Sequence, residues 1–161
     1  MRWLECDTFN CSVQRALDVV GDRWSLLILR EAFHGVRRFD DMATHLRISE
    51  SVLTRRLRGL MEADVLTRVA YRGPGARTRY EYRLTERGME LFPVITALMQ
   101  WGDRHLVDEP TSAWSVTHKT CGEPVEVVVR CVHDHEVLDP YQTRTEPGPA
   151  ARRLPTSTEA G

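Results

Sequence analysis

Residues 22–33, DRWSLLILREAF, carry Trp24, Leu26, Leu27, Ile28, Leu29, Ala32 and Phe33 on nearly every side of a helix. A helix that is apolar all round has to be surrounded. This segment is therefore expected at the centre of a core or shared with a second copy of the chain. Asp22 is a capping-type residue at its start, and His34-Gly35 ends it. In a chain of 161 residues there is room for one such core plus an appendage, not for two ordinary enzyme domains.

The flanking segments supply what surrounds this helix. In 11–20, Val13, Ala16, Leu17 and Val20 form one helical stripe ended by Gly21. Residues 36–46 read as a brief extended piece and then a two-turn helix with Phe39, Met42, Ala43 and Leu46 inward, and 47–49 as a tight turn. A helix is predicted over 49–62. The alternating runs 65–71 and 78–84 flank the Gly/Pro-containing RGPGAR, so they predict a β-hairpin with a basic tip. Residues 84–106 read as a helix capped by Thr85, with Pro93 either kinking it or making its first turn uneven. The fold class is mainly α with a small β-wing. Helix, short turn, helix and hairpin is the order of a winged helix-turn-helix.

Helix 49–62 separates its residues by side at about 100° per residue. Val52, Leu53, Leu57, Leu60, Met61 and Ala63 fall in one half, and Ser51, Thr54, Arg55, Arg58 and Glu62 in the other. Ser49 is the expected N-cap. Ser49, Ser51 and Thr54 place short hydroxyls near the N-terminus, Arg55 can reach a guanine edge with two donors, and Arg58 lies one turn on, toward the backbone of a duplex. The free N–H groups of the first turn add positive potential. Arg56 points into the apolar half and is expected to snorkel or to pair with an acid such as Asp40 or Asp41. Arg72, Arg77 and Arg79 lie on or beside the hairpin tip, making 72–79 a basic wing. The net charge of −1 hides this: residues 47–87 hold ten arginines against five acids. Such a block suits a polyanion, although a solvated arginine-rich face has the same composition.

The blocks CSVQRALDVVGDRWSLLILREAFHGVRRFDDM, ISESVLTRRLRGL, RYEYRLTERG and QWG closely resemble the HxlR-type transcriptional regulators, winged helix-turn-helix proteins related to MarR. The resemblance covers about residues 11–105. It implies a sequence-specific DNA-binding regulator without catalytic chemistry, acting as a homodimer through N- and C-terminal helices on a double-stranded operator with dyad symmetry. It would make Trp24, Leu91, Ile95, Leu98 and Trp101 core or dimer-interface residues. The chain departs from the family at Ser12, where proline usually follows the cysteine. The domain division expected is 1–107 for DNA binding and dimerisation, 108–139 for a small β-containing extension with one strand at 125–130, and 140–161 for a flexible tail, which has too little apolar content to fold.

Two sets of thiols bear on regulation. Some members of the family sense electrophiles or oxidants through an N-terminal cysteine, and Cys11 occupies that position; a helix N-terminus and nearby Arg15 would favour its thiolate. A packing cysteine is the alternative, and Cys6 is a candidate second thiol. Farther on, His118, Cys121, Cys131 and His133 have the spacing of a structural zinc site, with the fourth ligand open among His133, Asp134 and His135. A metal-free hairpin accounts for the same residues. A metal-binding enzyme or a protein-interaction module built on 118–135 is the competing function, but the cluster offers no evident general base beside an open metal position.

No apolar run approaches the roughly 20 residues of a membrane helix, and the first ten residues lack the apolar stretch of a signal peptide. A cytoplasmic protein with reduced cysteines is expected.

Overall fold

The computed structural model describes residues 2–72, 78–107 and 114–154. The helices are α1 (Ser12–Val20), α2 (Arg23–Phe33), α3 (Phe39–Leu46), α4 (Glu50–Glu62), α5 (Glu86–Met89) and α6 (Phe92–His105), with strands β1 (Leu66–Arg72) and β2 (Thr78–Leu84) between α4 and α5. The chain divides into two compact units, residues 19–127 and residues 1–18 together with 128–161.

In the 19–127 unit, α2 contributes Ile28 and Leu29 to a core completed by Met42 of α3, Leu53, Leu57 and Leu60 of α4, and Val65 and Leu66 at the entry to the hairpin. Asp22 caps α2 by accepting from the backbone N–H groups of Trp24 and Ser25, which satisfies donors that the first helical turn leaves free. At the other end Gly35 adopts φ +80° and the Val36 N–H returns to the Glu31 carbonyl at 3.0 Å. This is a left-handed stop that glycine supplies without steric cost. Leu26 and Leu27 are only half-buried, so α2 is central without being enclosed on every side.

The α3–α4 turn is three residues long, with Arg47 left-handed (φ 51°, ψ 40°) and the Ile48 N–H bonded to Ala43 O. Strands β1 and β2 pair antiparallel in the register Leu66↔Leu84 through Arg72↔Thr78. The extended piece before α3 adds an edge to the hairpin: Arg38 bridges Glu81 and the Tyr82 N–H donates to Arg37 O at 2.8 Å. The helix expected over 84–106 is two helices. Thr85 caps α5 through Gly88 N–H, and Pro93 lies in the first turn of α6, where its missing N–H has no intrahelical partner to lose.

Residues 125–130 do not form the expected strand. Pro124 has no N–H, and the flanking pairs are the isolated bridges Thr117↔Pro124 and Arg130↔Glu136. The Val125 N–H donates to Val116 O at 2.9 Å, while the Gln100 side-chain amide donates to Val125 O at 2.7 Å and accepts from the Val127 N–H at 3.1 Å, so no continuous ladder forms. In the other unit, the segment read as a tail carries structure as far as Leu154. Cys6 bridges Arg153, Asp7 N–H donates to Arg152 O and Leu154 N–H to Glu5 O.

Candidate nucleic-acid interface

Helix α4 begins at Glu50 with Ser49 as its N-cap residue, but the Ser49 side chain makes no capping hydrogen bond. Its Oγ lies 3.3 Å from Ser51 Oγ, and both serines are exposed. Thr54, Arg55 and Arg58 are exposed on the same side, while Leu53, Leu57 and Leu60 are buried on the other. The structure thus brings Ser49, Ser51, Thr54, Arg55 and Arg58 onto one solvent face. Among the described residues neither Arg55 nor Arg58 has an ion-pair partner.

Arg56 leaves this face, as its angular position requires, but its partner is neither Asp40 nor Asp41. Its Nε lies 3.1 Å from Asp22 Oδ1, close enough for an ion pair yet without hydrogen-bond alignment. Asp40 and Asp41 are the nearer acids in sequence; packing of α4 across α2 puts the α2 cap beside Arg56 instead. Asp22 also accepts from Ser25 Oγ. Burial pushes the Asp22 carboxyl up, and the hydrogen bonds from Ser25, the Arg56 charge and the Trp24 N–H outweigh it and hold it below the ordinary aspartate range. One carboxylate therefore caps α2 and ties α4 to it.

A second carboxylate ties α2 to α3. Glu31, 1% exposed, accepts from Arg30 NH2 at 2.6 Å and contacts His45 Nδ1 at 2.6 Å. Burial raises its affinity for a proton, but the Arg30 and His45 interactions outweigh this and hold the carboxyl below the usual range. Both helices of the helix-turn-helix are thus anchored on α2 by buried or half-buried acids.

On the wing, Arg79 is exposed. Arg72 ends β1, but its side chain and all of Arg77 lie outside the described residues. Arg68 stacks on Tyr80 with its guanidinium carbon 4.0 Å from the ring centroid, and Arg38 lies 5.4 Å from the Tyr71 centroid. Arg47 is exposed in the turn before α4. Arg38, Arg47 and Arg68 were not singled out from the sequence. A count of charge located two of them in the basic block, but only the turn and strand pairing place them beside α4 and the wing.

Of the apolar residues expected at an interface, Trp24, Leu91 and Ile95 pack against the core of their own chain. Leu98 and Trp101 are about half exposed, as is Val94 on the same side of α6; on α1, Val13 and Leu17 are more than half exposed.

Cys11 is half-buried immediately before α1. Arg15 does not serve its sulfur: the guanidinium donates to Asn10 Oδ1 at 2.6 Å. Cys6 and Cys11 both line a cleft of about 360 Å³ closed by residues 145–151. Among the candidate metal ligands, His118 Nδ1 lies 3.2 Å from Cys121 Sγ, across the turn made by Gly122 at φ +78°. Separately, Cys131 Sγ lies 3.5 Å from His135 Nδ1 and accepts from the His133 N–H at 3.4 Å. The two pairs belong to different compact units, and no group of three or more potential ligands occurs among the described residues.

Comparison with known proteins gives concordant results. Residues 19–110 match the model of the HxlR-like helix-turn-helix family. An uncharacterized HTH-type transcriptional regulator of Mycobacterium tuberculosis is 46% identical over 138 residues, 86% of this chain and 86% of that protein. The crystal structure of PA1607, described as a transcription factor candidate, superposes with a TM-score of 0.75 at 36% identity, covering 86% of this chain and 95% of that one. The redox regulator HypR in its reduced form gives a TM-score of 0.52 at 28% identity over 57% of this chain and 90% of that one.

Proposed function

The chain belongs to the HxlR-like helix-turn-helix family, whose members are transcriptional regulators and not enzymes, and from that premise we propose that it reads a specific duplex operator as a homodimer. The observation that carries this reading is the division of the α4 arginines: Arg55 and Arg58 are presented with Ser51 and Thr54 on one unobstructed face, while Arg56 is held against α2. On this reading α4 enters the major groove, Arg55 contacts base edges, Arg58 and Arg47 contact phosphates, and Arg72, Arg77 and Arg79 follow the adjacent backbone.

The exposed apolar residues Val94, Leu98 and Trp101 of α6 supply a surface for a second copy, and a twofold dimer matches an operator of dyad symmetry. Cys11 is the candidate sensor of an oxidant or electrophile; its presence with Cys6 in the lining of one cleft and the likeness to a redox regulator support that role. A cytoplasmic location is part of the same proposal; no described helix is long and apolar enough to cross a membrane.

Selection of bound fragments from random duplex DNA, followed by titration of the selected site at several salt concentrations, tests the reading. The expected result is a two-half-site motif bound by two chains, with affinity falling linearly in log–log form as salt rises, through counterion release. Absence of duplex binding at low salt would overturn it.

A further inference from the structure

Helices α2, α3 and α6 do not close on one another along one side of the 19–127 unit. Between them and residues 114–116 lies a groove of about 900 Å³, a volume typical of small-molecule sites. Its wall is dominated by Leu26 and Phe33 of α2, Phe92, Ile95 and Met99 of α6, and Trp114. Phe33 and Phe92 meet edge to face with centroids 5.4 Å apart.

The polar groups of the groove are few and unequal. Arg30 and His45 are both engaged by Glu31, so the guanidinium and the buried carboxylate cancel; Thr96 Oγ1 donates to Phe92 O at 2.9 Å, and His34 also lines the groove. Asp103, half-buried on α6, lines the same groove and has no hydrogen bond or ion pair among the described residues. An aromatic, apolar wall with one uncompensated carboxylate favours an apolar body bearing a single positive charge. The carboxylate attracts that charge in a partly desolvated site, and the ring faces add cation–π attraction.

Of the α6 residues assigned above to dimerisation, Leu98 alone lines the groove. At about 100° per residue, Phe92, Thr96, Met99 and Asp103 lie along one side of α6, and Val94 and Trp101 along the opposite side, with Leu98 at the border. A second chain seated on Val94 and Trp101 leaves the Asp103 side open.

We propose that this groove is a binding site for a lipophilic organic monocation, whose apolar body is held by Phe33, Phe92, Met99 and Trp114 and whose charge is met by Asp103. Such a compound would be the effector class of the regulator, and that step rests on the function proposed above; the binding itself does not. Because His45 of α3 lines the groove and α3 leads through a three-residue turn into α4, an occupant touches the support of the recognition helix.

The test uses the full chain and two probes of matched size and shape but opposite charge, tetraphenylphosphonium and tetraphenylborate, titrated by calorimetry and tryptophan fluorescence. The phosphonium is expected to bind one per chain, about tenfold tighter than the borate. Asp103→Asn, which removes no hydrogen bond or ion pair among the described residues, should abolish most of that preference while leaving thermal unfolding unchanged. Met99→Trp, which fills the groove, should weaken both probes. Binding of neither probe, equal binding of both, or an unchanged preference in Asp103→Asn would each overturn the proposal. Since DNA is absent from the assay, these outcomes are independent of whether the protein binds an operator.

Discussion

Two adjacent arginines on one helix should fail in opposite ways when removed. Arg56 pairs with Asp22 at 3.1 Å, with the two side chains 34% and 29% exposed. An exposed pair contributes a few tenths of a kcal/mol and a broken buried pair costs several. A half-exposed pair without hydrogen-bond alignment belongs near the lower end, and the buried stem of Arg56 adds lost packing. Arg56→Ala should therefore cost about 1 kcal/mol, a fall of about 2–4 °C in Tm for a protein of this size. Asp22→Ala should cost more, because it also removes the α2 cap, for which about 1–2 kcal/mol is typical. Arg56→Ala made in the Asp22→Ala background should then cost less than it does alone, by about 0.5 kcal/mol or more.

Arg55→Ala should leave stability within about 0.5 kcal/mol of wild type, as expected for an exposed residue without a partner. Its effect should appear in the selected operator, where one base position loses about 1–3 kcal/mol of discrimination, about 5- to 150-fold. Urea denaturation and site selection on the same preparations measure both quantities. If Arg56→Ala changed base preference at constant stability, or Arg55→Ala destabilised the fold and left the operator profile intact, the division of the α4 faces would be refuted.

Gly88 sits where α5 crosses the start of β1, and a Cβ there would lie 2.1 Å from the Val65 carbonyl oxygen and 3.1 Å from Leu84 Cδ2. That oxygen also accepts from Thr85 N–H, so it is not free to move; Gly88→Ala should destabilise by about 2–3 kcal/mol, and an unchanged urea midpoint would contradict the close approach. The Glu31 carboxyl is held below its ordinary value of 4.5, so its contribution is fully present above about pH 4.5 and is lost as pH falls through the lower folded-state value. Urea midpoints measured from pH 6 downward should accordingly fall more steeply for wild type than for Glu31→Gln; parallel curves would show that the carboxylate does not anchor α3.

The parts of this fold that were legible in the sequence are those decided within one helix or one hairpin. The Asp22 cap, the inward faces of α3 and α4, the Thr85 cap and the hairpin depend on neighbours a few residues away, so period and turn chemistry specify them. The position of Arg56 on the apolar half of α4 was legible for the same reason, but the acid it meets was not. Asp40 and Asp41 are nearer in sequence, whereas Asp22 is nearer in space only because α4 crosses the start of α2. The edge contact of Arg37 and Arg38 with the hairpin and the pairing of Cys6 with Arg153 are likewise long-range backbone choices with little side-chain signature.

Residues 125–130 show the converse case. Alternation alone predicts a strand, but a strand exists only where a second backbone offers donors and acceptors in register. Here the Gln100 amide meets two of those groups and Pro124 withholds its own. The same distinction bears on the interface. The exposed face of α4 follows from its own sequence, whereas its orientation depends on Asp22 and Glu31, two acids on α2. Neither acid faces the proposed DNA surface, yet loss of either should tilt the helix-turn-helix and weaken binding to all sequences alike. A change confined to one base position identifies a residue that reads; a uniform loss accompanied by lower stability identifies one that holds the reader in place.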